Sequence, residues 1–227
     1  MINVLVNGAT GKMGQLAVKY INADPKLKLV ATPARNDDLA KAIHNSKANV
    51  VLDLTSAEVA YQNTKIIIEA GSRPVIGTSG LTAEQIIELH ALAKIHHVGG
   101  IIVPNFSIGA VLMMQFSQTA CHYFDNVTIS ETHHLNKKDK PSGTARRTAE
   151  LIAAEKKCSY DNIEIISHRK ADAVAEHDVI FTTDYESLTI KHNSTDRECF
   201  MPGIVLACKN VLLLKELLVG LDKILQP

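Results

Sequence analysis

INVLVNGATGKMG, residues 2–14, is the stretch on which the fold turns. Residues 2–6 are apolar and rich in β-branched side chains, as in a strand buried on both faces. They run into Asn7-Gly8-Ala9-Thr10-Gly11, a glycine turn. Apolar residues then fall at Met13, Leu16, Ala17, Tyr20 and Ile21, the spacing of an amphipathic helix, until Asp24-Pro25 stops it. Gly8, Gly11 and Gly14 therefore lie between a strand and a helix N-terminus. There glycine lets the turn tighten and the backbone approach a pyrophosphate. The spacing is GxxGxxG rather than GxGxxG, and three glycines alone also fit a plain turn. Their placement favours a dinucleotide site.

The alternation continues outward from this unit. Strands are expected at 27–31, 49–54, 74–76 and 100–103, with helices at 57–70 and from Thr82 to about Lys94. Short apolar strands separated by helices predict an α/β fold with an N-terminal Rossmann-type, doubly wound parallel sheet. After Asn105 the pattern changes. Strands at 127–131, 163–168, 179–183 and 187–191 have few helices between them, which predicts a mixed or antiparallel sheet in a second, α+β domain. The tail at 202–225 reads as a helical return. The expected division is a dinucleotide-binding domain at 1–106 plus 200–227, and a substrate-binding and oligomerisation domain at 107–199.

Composition narrows the function classes. The chain has 227 residues, 46% hydrophobic and 21% charged, enough for one domain or two modest ones. Basic and acidic residues number 24 each, so no global charge recruits nucleic acid or an anionic membrane. No window approaches the roughly 20 apolar residues of a membrane span, and residues 1–14 carry no basic leader with an apolar core. Cys121, Cys158, Cys199 and Cys208 form no CxxC pair and no ligand spacing with histidine, as expected of a cytoplasmic protein with reduced, mostly buried thiols.

Other strand ends add candidates. Arg35 follows the second strand, where many dinucleotide folds place an acid on the adenosine ribose. A guanidinium there suits the 2′-phosphate of NADP, and it equally suits an exposed loop. Gly77-Thr78-Ser79-Gly80 and Pro104-Asn105-Phe106-Ser107 end the fourth and fifth strands on the same side of the sheet. Their small and hydroxyl residues could line a nicotinamide ribose, and Phe106 could border the nicotinamide ring.

The second domain carries the sharper signal: ETHHLNKKDKPSGTA, residues 131–145. Between Glu131 and Arg147 five lysines and arginines stand against two acids, a local excess that suits an anionic substrate. Ser142-Gly143-Thr144 opens a helix whose N-terminal N–H groups and hydroxyls could cradle a carboxylate. His133 and His134 are adjacent on a strand and point to opposite faces, which disfavours both binding one metal ion, so no metal is expected.

These motifs together resemble the 4-hydroxy-tetrahydrodipicolinate reductase (dihydrodipicolinate reductase) family, whose pattern E-x-HH-x-x-K-x-D-x-PSGTA is met by Glu131, His133, His134, Lys137, Asp139 and Pro141 to Ala145. GxxGxMG at the first turn, GTSG from Gly77, PNFSIG from Pro104, Glu176-His177, and Arg197 with Phe200 extend the likeness over nearly the whole chain. The resemblance implies hydride delivery from NADPH or NADH to C4 of a cyclic imine dicarboxylate in lysine and diaminopimelate biosynthesis. It implies Lys137 as proton donor and His133 as companion acid/base, with His134, Ser142, Gly143 and Thr144 on the substrate carboxylates. Gly8, Ala9, Thr10, Gly11, Lys12, Met13, Gly77, Thr78, Ser79, Val103, Pro104, Asn105 and Phe106 would contact the cofactor. A homotetramer built through second-domain sheets, and a hinge between the domains, are also implied.

The chain departs from the family's usual pattern at Ala34, often an acid, which favours NADPH. Lys140 stands at a usual alanine, and Ala171 and Ala175 at usual glycines. Two rival readings remain. Tyr61 and Lys65 match the YxxxK of short-chain dehydrogenases, but about fifty residues after the glycine motif, far too early for that class. A non-enzymatic anion-binding protein would use the basic loop alone.

Overall fold

The computed structural model describes residues 1–225. In chain order the elements are β1 (Ile2–Asn7), α1 (Lys12–Ala23), β2 (Leu27–Ala31), α2 (Leu39–Ser46), β3 (Val50–Asp53), α3 (Ala57–Glu69), β4 (Arg73–Ile76), α4 (Ala83–Ile95) and β5 (Gly100–Ile102). There follow α5 (Ile108–Ala120), β6 (Asn126–His134), α6 (Gly143–Lys156), β7 (Glu164–Lys170), β8 (Ala175–Thr182), β9 (Ser187–Ser194), α7 (Met201–Asn210) and β10 (Leu217–Val219). The chain forms two compact units, Met1–Phe106 with the chain from Phe200 onward, and Ser107–Cys199.

In the first unit six parallel strands lie in the order β10-β5-β4-β3-β1-β2. Val4, Leu5 and Val6 on β1 and Val50, Val51 and Leu52 on β3 are fully buried, so both sheet faces are covered and no alternation survives in the strand sequences. Leu5, Val51 and Ile76 pack with α2, α3 and α4 through Ile43, Ile67, Ile68 and Leu89. α1 packs on α7. The Rossmann-type expectation is met. β1 lies between β2 and β3, so the strand order reverses beside it, where ligands of open α/β sheets bind beyond the strand C-termini. Thr82 caps α4 through a reciprocal box with Gln85.

The return is mostly helical, α7 with 3-10 turns at Val211–Leu213 and Leu221–Ile224, but a strand interrupts it. Beyond α7 the chain forms β10, which pairs with β5 at the sheet edge, and Gly100 N–H and Gly220 N–H close the ladder onto the Glu216 and Ile102 carbonyls at 3.0 and 2.9 Å. A three-residue apolar run has no readable period, so only its pairing partner makes it a strand.

In the second unit the order is β7-β6-β8-β9, with β6–β7 parallel and the other pairs antiparallel: a mixed sheet. α5, which strand patterning did not announce, is capped by Ser107 and buries Ala110, Val111, Met113 and Met114. All four cysteines are free; Cys121 and Cys208 are buried, Cys199 is half-buried and Cys158 exposed, so burial holds for two of them. Among the described residues no helix is long and apolar enough to cross a membrane.

Candidate active site

The first unit's polar loops gather at the C-terminal ends of β1, β3 and β4. Gly8 adopts φ +88°, and a Cβ there would stand 2.7 Å from the Leu54 carbonyl oxygen. A Cβ on Gly14 would stand 2.1 Å from the Gly8 oxygen, so only glycine allows α1 to start this close to the turn. Gly11 caps α1 with no side-chain hydrogen bond, which leaves first-turn N–H groups for an anion. Ala9 and Met13 are half-buried; Thr10 and Lys12 are exposed. A dinucleotide pyrophosphate fits this cradle.

Between the first and fourth strand ends stands Asp53, fully buried at the end of β3. Its Oδ2 accepts from Asn7 Nδ2 at 2.9 Å and Asn63 Nδ2 at 2.8 Å. Oδ1 accepts from the Thr55 hydroxyl at 2.7 Å, the Thr55 N–H at 3.2 Å and the Thr78 hydroxyl at 2.8 Å. Ser79 is exposed and Gly77 half-buried. A Cβ at Gly77 would meet the Phe106 ring at 2.5 Å, so Phe106, itself 4% exposed, packs over Gly77 and Leu54. Val103 is buried and donates its N–H to the Ile76 carbonyl, with Pro104 exposed and Asn105 half-buried beyond it. Arg35 is exposed after β2 and lies near enough to Glu58 to help lower that carboxyl, behind the larger effects of the Ser56 hydroxyl and the Glu58 N–H.

In the second unit the site grows from the end of β6. Glu131 is fully buried and His133 is 8% exposed on the same strand face, while His134 points out. Arg169, on the neighbouring strand opposite His133, reaches both Glu131 oxygens at 3.0 and 3.1 Å. The same guanidinium donates to the Lys137 carbonyl at 3.2 Å and to the Asp139 carbonyl, so it also shapes the basic loop. Lys137 Nζ lies 3.4 Å from Asp139 Oδ2.

Burial by itself would raise the Glu131 carboxyl, but hydrogen bonds from Ser167, His133 and Arg169 outweigh it and hold the group below its ordinary range. Burial pushes the His133 imidazole down; Glu131 opposes this, while Lys137 and Arg169 add to it. A carboxylate only accepts, so the His133 Nδ1 facing Glu131 carries the hydrogen and Nε2 keeps its lone pair.

Ser142 caps α6, accepting from Ala145 N–H at 3.2 Å while its own N–H donates to Glu131 Oε1 at 3.3 Å. Its hydroxyl meets His177 Nε2 at 3.1 Å. Gly143 is exposed with nothing within 4 Å of where a Cβ would stand, Thr144 is half-buried, and the first turn of α6 holds no acid. His177 lies edge-on to His133 and stacks on His192; burial, with those neighbours, pushes it down to about 4. Among the described residues no group of three or more His, Cys, Asp or Glu side chains is placed to hold a metal ion.

The family model described as Dihydrodipicolinate reductase, N-terminus, matches residues 2–106, and the model for the C-terminus of the same enzyme matches residues 109–225. The chain belongs to the dihydrodipicolinate reductase family. Among its relatives, 4-hydroxy-tetrahydrodipicolinate reductase of Legionella pneumophila (strain Lens) is 47% identical, with 98% of each chain covered. The Coxiella burnetii (strain Dugway 5J108-111) enzyme of that name is 44% identical over 99% of each. A dipicolinate-bound dihydrodipicolinate reductase from Paenisporosarcina sp. TG-14 has the same fold, with a TM-score of 0.91 at 35% identity, covering 99% of this chain and all of that one.

The structure brings His133, Lys137, Ser142 and the start of α6 together in one unit, and the glycine turn with Thr78 in the other. Tyr61, by contrast, donates its hydroxyl to Glu88 at 2.6 Å across two helices, and that bond raises its pKa, the wrong direction for a short-chain dehydrogenase tyrosine. Sequence reasoning overlooked the loop after β3, although an acid closing the apolar run VVLD was a visible signal. It also gave no role to Glu131, Arg169 and His177. Nothing local marks Arg169, whose importance depends on β7 pairing with β6.

Proposed function

We propose that the protein reduces 4-hydroxy-tetrahydrodipicolinate, by way of dihydrodipicolinate, to tetrahydrodipicolinate in lysine and diaminopimelate biosynthesis, with NADPH preferred over NADH. The observation that carries this is the buried Glu131–His133–Arg169 cluster, whose arginine also holds the loop bearing Lys137 beside the Ser142-capped, acid-free start of α6. Family membership and the dipicolinate bound to the Paenisporosarcina relative support a small dicarboxylate substrate.

Gly8 to Met13, Gly77 to Ser79 and Val103 to Phe106 are the residues that would hold the cofactor, with Arg35 on a 2′-phosphate. When bound, the reduced nicotinamide supplies the hydride, which goes to C4 of the ring. Electron density then moves toward C3 and the imine. Lys137 supplies the proton, and its ammonium stabilises the developing negative charge. His133, neutral with its Nε2 lone pair open, can take up a proton from solvent there and pass it to Lys137, or take part as acid/base itself. His134, the Ser142 hydroxyl and the N–H groups of Gly143 and Thr144 hold the carboxylates.

A cytoplasmic homotetramer completes the proposal. Ile166 is 41% exposed on β7, and four free cysteines suit a reducing compartment. Purified protein is expected to oxidise NADPH only when supplied with fresh 4-hydroxy-tetrahydrodipicolinate made by the preceding synthase. Absence of turnover with both NADPH and NADH would overturn the reading.

A further inference from the structure

Asp53 is a fully buried carboxylate, and its hydrogen-bond partners are neutral: Asn7, Thr55, Asn63 and Thr78. Those side chains come from the ends of β1 and β4, the loop after β3, and α3. The backbone reinforces the same join, with Leu54 N–H on the Asn7 carbonyl and Gly77 N–H on the Asp53 carbonyl, each at 2.9 Å. A carboxylate accepts and never donates, so every one of these partners must turn a hydrogen toward it.

That constraint passes to Thr78, which is 9% exposed. Thr78 has one hydroxyl hydrogen, and it is given to Asp53 Oδ1 at 2.8 Å; toward anything else Thr78 Oγ1 can only accept. The Thr55 hydroxyl hydrogen is likewise committed to Asp53, and one of its lone pairs receives Asn63 Nδ2 at 3.2 Å. Asn7 and Asn63 turn their amide nitrogens inward. An acceptor-lined wall suits a ligand that offers O–H or N–H groups, and it repels phosphate oxygens.

The position says which part of a dinucleotide this is. With the pyrophosphate on the glycine turn after β1 and the adenosine beyond β2, the other half must lie over β3 and β4. We propose that Asp53 is a positioning residue for the nicotinamide riboside half of the cofactor, setting Thr78 as an acceptor for its hydroxyl or carboxamide hydrogens. This rests on the reading of the first unit as the cofactor-binding one.

The test compares NADPH and NADH, followed by their own fluorescence, with ADP, which ends at the pyrophosphate, followed by calorimetry. Asp53→Asn and Thr78→Val are each expected to raise the Kd for both reduced cofactors about fivefold to tenfold, the scale of a lost neutral hydrogen bond. ADP affinity should stay within about twofold. Thr78→Ser, which keeps the hydroxyl, should restore cofactor binding. The double variant should lose less than the two single losses combined, because both act through one bond. Unchanged NADPH binding by Thr78→Val overturns the proposal, as does equal loss of ADP and NADPH by Asp53→Asn. If Asp53→Asn does not fold, the Thr78→Val and Thr78→Ser pair decides. Should the unaltered protein bind neither reduced cofactor, the cofactor reading itself fails.

Discussion

Asp53 ends β3 and Glu131 lies within β6; both are fully buried carboxylates, yet the two units satisfy them by different chemistry. Asp53 is surrounded by hydroxyl and amide donors, which orient neighbours without adding charge. Glu131 is met by the Arg169 guanidinium and the His133 imidazole, with Lys137, His177 and His192 close by. The first arrangement holds loops still for a ligand. The second concentrates groups that exchange protons. On the proposed function, cofactor binding and proton transfer fall to separate units, each with its own buried acid.

Breaking the Glu131 side of that contrast should have the largest effect. Arg169→Met leaves a buried carboxylate without its cation and should cost about 3–5 kcal/mol in stability, read from urea unfolding. If the cost is within error, Arg169 is not compensating Glu131.

Acidification is the next test. The folded pKa of His177 is about 4, below its ordinary 6.5, so the unfolded chain binds more protons between those values. Stability is therefore expected to rise with pH through that window and to be lost as pH falls from 6.5 toward 4, on the order of 3 kcal/mol from this residue. Buried His133 and half-buried His192 act in the same direction. Glu131, held low, loses its contribution only at more acid pH. Hydrogen exchange of β8 amides should report the loss, and His177→Gln should flatten the slope. An unchanged slope would remove His177 from the account.

Lys137→Ala should lower kcat about a hundredfold, the scale of a lost general acid, with the Kd for NADPH unchanged. Equal loss in both would mean a structural lysine. The smallest expected change is at the cofactor end: Arg35→Ala should weaken NADPH about tenfold relative to NADH, roughly one charged contact to phosphate. Equal effects on both cofactors would place Arg35 away from the 2′-phosphate.

Much of the fold was legible along the chain because its signals are local. The 2–14 stretch shows a buried strand, a glycine turn and a 3.6-residue period within thirteen residues, and Thr82 with Gln85 announces its own cap. The basic loop and PSGT start of α6 were equally visible, since charge density and capping residues are properties of neighbours in sequence. β10 and α5 were not read. The first is too short to show a period, and the second is too uniformly apolar to show a polar face.

By itself, then, the sequence determined the layered α/β first half, the mixed-sheet second half, the glycine turn and the chemistry-bearing residues at 131–145. Only the tertiary structure decided which charges meet. Arg169 faces Glu131 because β7 lies parallel to β6 in one register, and Asp53 joins Asn7 to Thr78 because β3 lies between β1 and β4. Local periodicity specifies which face a residue takes. The partner across a sheet is set by long-range pairing, and a buried carboxylate draws its chemical character from that partner.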